Sequence, residues 1–447
     1  MTDLSEYRQR IEALHRRWPS AADAPLGLAK PTSNLFRDRS GPAKQRLDLH
    51  DFDHVLAVEP QQRWVDVEGL ATYETLVDAT LPHGVMPAVV PQLKTITAGG
   101  AVSGVGIEAT SFRQGLVHDT LLELDVLLPG GEVVRCTPDN EHRDLFFGFP
   151  NSYGTLGYAL RLRLRTLPVK PLVRVQRRRY DRAAAYFAGL ASAIAGGADF
   201  VDGVVFARDH LVLNIGRFAD SGPAPSDYTC EKLYWRSLLE RDTDTLSTRG
   251  YLWRWDTDWF WNSRQFGLER AWLRRLLGQR HLNSRTYTRW MRWNARHGVT
   301  QAWAQLRGRH REPVIQDVDI PLSQAAAFLD FLDREIGILP IWICPIRAAD
   351  PQRHFPLYPL HADEASVNFG FWDVVETEAA HEPGHLNRLV ERRVIELGGI
   401  KSLYSDSFFT REEFDAAYGA ADYAALKARY DPQGRLLGLY EKCVLRR

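Results

Sequence analysis

A glycine-rich segment is the part of the sequence best suited to hold a ligand with its backbone. Residues 97–115 read TAGGAVSGVGIEATSFRQG and contain five glycines, mostly separated by Ala, Ser or Thr. Glycine in an ordered segment costs backbone entropy, so this density indicates tight turns or a ligand lying against the main chain. Successive backbone N–H groups, with the hydroxyls of Thr97, Ser103 and Ser111, predict a cradle for a pyrophosphate. The alternative is a glycine-rich connection between packed strands.

Part of this segment, GVGIEA at 104–109, matches the G-x-G-x-x-[GA] fingerprint of dinucleotide-binding domains. That fingerprint needs a strand running directly into its first glycine. The preceding residues, TAGGAVS, form strands poorly. A nicotinamide-binding Rossmann unit is therefore not expected.

Composition excludes several classes of protein. The 447 residues carry 56 basic and 56 acidic side chains, which argues against a general nucleic-acid-binding protein. The four cysteines are scattered without a C-x-x-C pair, which predicts no metal site and no disulfide scaffold, as in a reducing, cytoplasmic compartment. The first 18 residues are charged and lack the apolar core of a signal peptide, and no apolar run of about 18 residues occurs, so we expect neither a signal peptide nor a membrane span.

The elements around the glycine-rich segment predict a compact α+β unit in the first 170 residues. Alternating apolar and polar residues at 54–60, 63–69 and 158–168 predict half-buried strands. Residues 71–84 predict a helix that ends at a Pro and a Gly. Residues 121–138 predict a hairpin around a Pro-Gly-Gly turn.

The remaining elements predict a second α/β unit and helical ends. Residues 314–322 and 339–346 predict strands separated by a helix. A charged helix is expected over 1–20, and residues 411–432 are expected to be helical. The chain is too long for one ordinary core, so two or three structural units are expected.

Tryptophan and arginine are concentrated between 253 and 311. Eight tryptophans and thirteen arginines fall in this region, with three acidic residues. Indoles favour membrane interfaces and arginines attract anionic head groups, which predicts a peripheral membrane patch that collects a lipid. A domain core with arginines on its outer surface explains the same composition.

The residues quoted above resemble the flavin domain of the vanillyl-alcohol oxidase superfamily. The similarity extends through DLFFGFPNSYGTLGYALRLRLRTLP at 144–168, and it is greatest to the sterol side-chain reductase family. VIQDVDIPL, LPIWICP and KSLYSDSFFTREEFDAAY resemble later segments of that family in the same order. We expect no counterpart of the family's membrane-anchoring N-terminal helix in this sequence.

The resemblance implies FAD bound without a covalent bond, because no His or Cys occurs between Lys30 and Leu49, where relatives attach their flavin. Ser33 and Asn34 fall where the family has its first phosphate loop, without its usual glycines. The implied FAD-binding residues are Thr97, Ala98, Gly99, Gly100, Ala101, Val102, Ser103, Gly104, Val105, Gly106, Ile107, Glu108, Ala109, Ser111, Gly115, Ser152, Gly154, Thr155 and Gly157.

Two residues of the C-terminal segment are candidates for catalysis, because in this family that segment returns to the flavin. Lys401 is placed to stabilise the negative charge of a reduced flavin, or is a solvated lysine. Tyr404 is placed to supply the proton that reduction of a C=C bond requires, since a phenol tolerates an apolar pocket better than a charged group does. A core tyrosine is the alternative, and Asp406 and His118 are lesser candidates.

The resemblance implies a fold with a PCMH-type FAD-binding domain at 21–170 after the helix at 1–20. An α/β substrate or cap domain follows at 171–400, and a segment at 401–447 packs near the flavin. The implied function is hydride transfer between flavin and a C–C or C=C bond of a lipid, with NADPH as a possible donor. The alternatives are a flavin-dependent oxidase or dehydrogenase of an alcohol, sugar or hydroxy acid, and a non-catalytic lipid-binding relative. We expect a protein that is cytoplasmic or peripheral at an anionic membrane; oligomeric state is left open.

Overall fold

Two antiparallel sheets organise the protein, and the chain passes from one to the other between Pro168 and Leu172. The computed structural model describes residues 4–18, 25–30, 45–297, 310–378 and 381–446, with side chains up to residue 290 in the helix that ends at 297. A short parallel pair, β1 (Leu26–Ala29) and β2 (Gln45–Asp48), precedes the first sheet. Among the described residues, none of the helices has both the length and the apolar composition that crossing a bilayer requires.

The first sheet confirms the strands expected from alternating residues. Its strand order is β3-β4-β8-β6-β7, with β5 paired to β8. One face packs on the helices that follow β4 and on the glycine-rich segment. The strands are β3 (Val55–Glu59), β4 (Trp64–Glu68), β5 (Val85–Pro87), β6 (Leu121–Leu127), β7 (Val133–Cys136) and β8 (Tyr158–Pro168).

The other face of this sheet is polar but covered. The N-terminal helix α1 (Leu4–Arg16) lies over it, and the Tyr7 hydroxyl donates to Asp125 at 3.0 Å. Arg161 is buried on the same face and donates to the carboxylates of Asp66 and Asp125. The predicted helix is therefore present, and it closes a buried charge network.

Helices in the first unit are short and lie close to the glycine-rich segment. The glycine-rich segment contains two short helices and is not one continuous loop. The first of them begins at Ala98, and the Thr97 side chain is its N-cap. The helices are α2 (Tyr73–Thr80), α3 (Ala98–Ser103), α4 (Ser111–Gln114) and α5 (Arg143–Gly148).

The second sheet has the order β12-β9-β11-β10-β14-β15-β13-β16. Helices α6 (Ala183–Ala195), α11 (Ala325–Phe331) and α12 (His385–Glu396) contribute, with one face of this sheet, to a second core. The opposite face joins the core of the first unit. The strands are β9 (Leu172–Tyr180), β10 (Phe200–Ala207), β11 (His210–Ala219), β12 (Thr243–Ser247), β13 (His310–Pro321), β14 (Ile341–Ile346), β15 (Ser366–Thr377) and β16 (Ile400–Lys401).

The tryptophan- and arginine-rich region divides into a core and a surface. Trp253, Trp255, Trp259 and Trp261 are buried, as the core interpretation predicts. Arg274 is also buried, where it donates to Asp258. The region contains α9 (Ala271–Leu277) and α10 (Ser284–His297), and it follows α7 (Tyr234–Glu240) and α8 (Thr248–Leu252).

The C-terminal segment returns to the first unit. The helix expected over 411–432 is broken at Gly419, which adopts the left-handed conformation (φ 55°). Lys427 donates to the Thr155 carbonyl at 2.9 Å, and Lys442 donates to the Tyr153 carbonyl at 2.6 Å. The helices are α13 (Arg411–Ala417), α14 (Ala420–Tyr430) and α15 (Leu439–Cys443).

Candidate active site

A cavity of about 710 Å³ lies between the two sheets and the C-terminal segment. Its walls come from the glycine-rich segment, from strands of the second sheet and from residues near α15. This volume is within the range of about 300–1,000 Å³ that small-molecule and cofactor sites occupy. The two ends of the cavity differ in chemistry.

Main-chain atoms of the glycine-rich segment form one end of the cavity. The Thr97 side chain accepts a hydrogen bond from the Gly100 N–H at 3.2 Å, so α3 starts with its N–H groups near the cavity. Gly99 donates its N–H to the Gly69 carbonyl at 2.9 Å. A Cβ at 99 would lie 2.9 Å from that oxygen, so only glycine lets these two segments approach.

A lysine reaches the same end of the cavity from outside the glycine-rich segment. The Lys30 ammonium donates to the Thr97 hydroxyl oxygen at 2.9 Å, and both residues line the cavity. A cation beside a helix N-terminus provides an anion-binding environment. The interpretation of the segment as a pyrophosphate cradle needs no lysine, but the fold supplies one.

The predicted FAD-binding residues separate into lining and supporting positions. The lining residues of the glycine-rich segment are Thr97, Gly99, Gly100, Ala101 and the run 103–107. Ala98, Val102, Glu108, Ala109, Ser111 and Gly115 are not in the wall. The first five of these are buried, and Gly115 packs against Asp119.

The second predicted turn also divides in this way. Gly154 and Gly157 line the cavity, whereas Ser152 and Thr155 lie buried behind them. The Thr155 hydroxyl donates to the Ser152 carbonyl at 2.7 Å, which holds the turn. Ser33 and Asn34 lie outside the described residues.

A buried carboxamide tests whether these residues fit FAD. Gln92 lines the cavity and is 4% exposed, yet neither its amide nitrogen nor its carbonyl oxygen has a hydrogen-bond partner among the described residues. Buried polar atoms are normally satisfied, so this side chain fits a ligand that offers both a donor and an acceptor. The pyrimidine edge of a flavin offers both, and the backbone-built end fits its pyrophosphate.

The other end of the cavity is aromatic. Trp259, Phe260, Trp342 and Trp372 line it. The rings of Phe260 and Trp372 lie 4.5 Å apart between centroids. Trp259 and Phe260 both adopt positive φ angles, 45° and 63°, which are uncommon for large side chains.

Tyr404 projects into this aromatic end. Its hydroxyl oxygen accepts a hydrogen bond from the Trp372 indole N–H at 3.0 Å. Asp317 of β13, a partly buried carboxyl group that lines the cavity, interacts with this hydroxyl group. Burial raises the pKa of Asp317 to about 7 and holds the pKa of Tyr404 well above its usual value.

The other catalytic candidates lie away from the wall. Lys401 is buried and donates to Glu391 at 2.7 Å, so the geometry gives no support to its predicted role at a flavin. Asp406 contacts Arg446 at 3.4 Å. His118 packs against Phe355, and burial lowers its pKa to about 3.

Arg254 joins the glycine-rich segment to the second sheet. It is buried and donates to Glu108 at 2.9 Å and to Asp202 of β10 at 2.8 Å. The Trp342 indole N–H also donates to Asp202, at 3.3 Å. Glu108, a predicted cofactor residue, therefore fixes the two walls of the cavity relative to each other.

Sequence reasoning missed Lys30, Gln92, Asp317 and the aromatic residues of the second sheet. A signal existed for Asp317, because QDVD places two carboxylates on one face of a strand that should be buried. No pattern identified Lys30 or Gln92, since each reaches the cavity through the fold of its neighbours.

Comparison with known proteins adds to this geometry. The profile of a family described as an FAD binding domain matches residues 32–137. The Delta(24)-sterol reductase of Pisum sativum is 24% identical over 89% of this chain and 76% of its own length. The Homo sapiens Delta(24)-sterol reductase is 25% identical over 87% and 75%. Cytokinin dehydrogenase 2 of Oryza sativa subsp. japonica is 31% identical over 43% of this chain and 34% of that enzyme.

Proposed function

We propose that this protein, an FAD-dependent oxidoreductase, reduces a C=C bond of a lipid. The proposal is supported by its FAD-binding domain and by its similarity to Delta(24)-sterol reductases over most of its length. The substrate class is an apolar alkene such as a Delta(24)-unsaturated sterol, an isoprenoid or an unsaturated acyl chain. The reverse reaction, desaturation, uses the same groups.

The observation that carries the proposal is the position of Tyr404 in an aromatic wall. Its hydroxyl group accepts a hydrogen bond from Trp372 at the aromatic end of the cavity, which Asp317 also lines. Trp259, Phe260 and Trp342 complete a wall that favours an apolar substrate over a charged one. A proton donor beside an apolar pocket is what addition of hydrogen across a C=C bond needs.

The residues of the chain perform binding, exclusion of water and proton transfer. FAD, when bound, supplies the hydride chemistry. Lys30, Thr97 and the N–H groups of α3 would hold its pyrophosphate, and Gln92 would meet a polar edge of its ring system. The aromatic wall excludes water from the substrate, and Tyr404 holds the proton at its hydroxyl oxygen.

We further propose that FAD is bound without a covalent bond and that a dihydronicotinamide such as NADPH reduces it. The first proposal is supported by the lining of the cavity, which includes no His or Cys among the described residues. The second follows from the need for an external two-electron donor and awaits the experiment below.

Peripheral contact with an anionic membrane is the third part of the proposal. Trp272 is 59% exposed and Leu276 is 78% exposed, and these residues lie four positions apart on one side of α9. Trp290 of α10 is a further exposed indole, and Arg275 and Arg280 are basic neighbours. An apolar ridge with arginines beside it suits the head-group region of a bilayer, from which a lipid substrate would enter.

A flavin-dependent oxidase or dehydrogenase of an alcohol, sugar or hydroxy acid is the alternative, and the partial similarity to cytokinin dehydrogenase 2 favours dehydrogenation of a substrate other than a lipid alkene. Such substrates call for a polar pocket with paired Arg and His. In the part of the chain that the structure describes, no histidine lines the cavity, and the wall around Tyr404 is aromatic.

The experiment separates the two reactions. The yellow protein is reduced anaerobically with dithionite and mixed with a Delta(24)-unsaturated sterol, with the matching saturated sterol as control. Return of the oxidised flavin absorbance, together with the saturated product in the mass spectrum, supports the proposal. No reoxidation by any lipid alkene, combined with bleaching of the oxidised protein by a cytokinin, would replace it with the alternative. NADPH and NADH added separately to the oxidised protein identify the donor.

A further inference from the structure

A glycine of the second sheet lies beneath three side chains of the cavity wall. Gly370 of β15 is directly opposite Trp342 of β14 on one side and directly opposite Asp317 of β13 on the other. Residues opposite each other in neighbouring strands point to the same face of a sheet, as do residues two apart in one strand. Trp342 and Asp317 both line the cavity, and so does Trp372, two residues after the glycine.

The backbone conformation of Gly370 does not require glycine, since its φ angle is not positive. Glycine inside a strand weakens the strand, and such a position often marks a place where a ligand or another group approaches closely. Gly370 is buried in the interior of β15. Space on the cavity face, and not main-chain geometry, therefore restricts this position to the smallest residue.

The neighbours of Gly370 already fill the space that a side chain would need. A Cβ at 370 would lie 2.5 Å from the Asp317 Oδ1 atom, 3.1 Å from the Trp372 Cη2 atom and 3.3 Å from the Trp342 Cε3 atom. Carbon atoms pack best at about 3.5–4.0 Å, so all three distances are too short. A methyl group at 370 would therefore displace at least one of these three side chains.

The surroundings direct such a displacement towards the cavity. On the other face of β15, Phe369 and Phe371 are fully buried in the second core and hold the strand in place. Phe260 packs against both indoles, with ring centroids 5.7 Å from Trp342 and 4.5 Å from Trp372, which limits how far the indoles can separate. The cavity is the open space beside them, so the methyl group would narrow its aromatic end.

We propose that Gly370 is a specificity-determining residue, whose missing side chain gives the aromatic end the width for a branched or ring-bearing lipid alkene. This inference rests on the proposed function and deepens it, because it names which lipid alkenes the pocket prefers. A linear chain is narrower and does not need the space that the glycine leaves. One methylene group in an apolar pocket changes relative affinity about 10- to 200-fold, so a single position can set this preference.

The test compares the binding of two alkenes to the FAD-loaded full chain in its oxidised state, where no hydride is available and binding is measured without reaction. A Delta(24)-unsaturated sterol is the broad ligand, and a linear unsaturated long-chain alcohol is the narrow one. Titration followed by flavin absorbance gives a dissociation constant for each. Gly370→Ala should weaken sterol binding about tenfold or more and binding of the linear alcohol less than about threefold.

Gly216→Ala is the matched control. Gly216 is a buried glycine inside β11 of the same sheet, and its φ angle is not positive either. A Cβ there would lie 3.0 Å from the Phe200 Cβ atom and 3.3 Å from the Val173 Cγ1 atom, and neither neighbour lines the cavity. The control should lose stability through similar crowding and leave the ratio of the two dissociation constants unchanged.

Asp317→Ala tests the same row from its other side. It removes the group nearest to the Gly370 site, so it should widen the aromatic end and shift the ratio towards the sterol at least about threefold. Loss of the carboxyl charge acts on both apolar ligands and cancels in the ratio. The double variant Gly370→Ala, Asp317→Ala should return to the parent ratio, because the added methyl group takes the space that the carboxyl oxygen leaves.

The outcomes separate this inference from the proposed function. Equal weakening of both ligands in Gly370→Ala, or weakening of neither, overturns the inference, and so does a parent that binds neither alkene. If Gly370→Ala does not fold, Asp317→Ala decides, and an unchanged ratio in that variant overturns the inference. A parent that binds both alkenes but does not reduce the sterol after treatment with dithionite contradicts the proposed function alone, since the ratio still reports the width of the pocket.

Discussion

The Lys30 ammonium and the Thr97 hydroxyl group lie 2.9 Å apart at the start of α3, although 67 residues separate them in the chain. Thr97 uses the same oxygen to cap the helix through the Gly100 N–H. One side chain therefore fixes both the backbone donors and the cation that we expect to meet a pyrophosphate.

Lys30→Met should weaken FAD binding about tenfold or more, because a charge-assisted hydrogen bond contributes about 1.5–3 kcal/mol. Titration of the apoprotein with FAD, followed by flavin fluorescence, measures the change. Lys30→Arg should retain most of the affinity, and the difference between Met and Lys should shrink at high salt. Equal affinities for all three proteins would place the pyrophosphate away from Lys30.

Gly104→Val should reduce FAD binding at least about tenfold. Gly104 lines the cavity at an ordinary φ of −103°, so the effect comes from filling the cavity and not from backbone strain. Its Cβ would also lie 3.1 Å from the Gly100 carbonyl oxygen. Gly130→Val is the control, because nothing lies within 4 Å of a Cβ there. The flavin-to-protein absorbance ratio reports the result, and two equally yellow variants would contradict it.

FAD should be released completely when the protein is precipitated with acid. The expectation depends on the cavity wall, where the described lining residues include no His or Cys to carry a flavin bond. Absorbance of the supernatant and of the redissolved pellet measures the partition. Yellow colour that stays with the pellet would reveal an attachment site outside the described wall.

Asp317→Asn should stabilise the protein at high pH. Since burial raises the Asp317 pKa from 3.8 to about 7, the folded protein keeps a proton that the unfolded chain has lost within this window. The contribution of Asp317 to the free energy of unfolding is thus complete below about pH 4 and declines as the pH rises to about 7, by up to about 4 kcal/mol. Urea unfolding at about pH 5 and about pH 8 should show a larger gain for the variant at the higher pH. A gain independent of pH would mean that Asp317 is ionised throughout.

The exposed side chains of α9 should support binding to anionic vesicles. The double variant Trp272→Ser, Leu276→Ser should reduce co-sedimentation about tenfold or more, because burial of each apolar side chain in the bilayer contributes about 1.5–3 kcal/mol to binding. Leu122→Ser is the control, since Leu122 is an exposed leucine of the first sheet. Arg274 is unsuitable as a target, because it is buried against Asp258. Binding that survives the double change, or that is absent from the parent, would restrict α9 to a structural role.

Sequence periodicity predicted the elements of this fold better than it predicted their contacts. The alternation at 158–168 gave β8 with its bounds, because one face of that strand is buried against apolar side chains. The same pattern said nothing of Arg161, which is covered by α1 and paired with carboxylates. Partners that lie far along the chain leave no local signal.

The candidate site likewise combines positions that the sequence predicted with positions that it did not. The glycine-rich segment was recognisable because close approach of backbones restricts residue type locally, as at Gly99. Tyr404 was reached through resemblance, and the structure places it in the cavity wall. Composition alone predicts a membrane patch that includes Trp259, because it cannot distinguish an indole that lines a cavity from one that faces a membrane.

Trp259 and Phe260 have a consequence for how this protein tolerates change. Two consecutive large residues with positive φ cost about 1–3 kcal/mol each relative to an unstrained backbone. Glycine at either position would relax the main chain, and it would also remove part of the aromatic wall. Both rings are buried, however, and truncation of a buried Trp or Phe costs about 3–5 kcal/mol, which exceeds the strain. The side chains that shape the pocket therefore also hold this strained turn in place, so a change that widens the pocket here would be expected to lower resistance to heat as well.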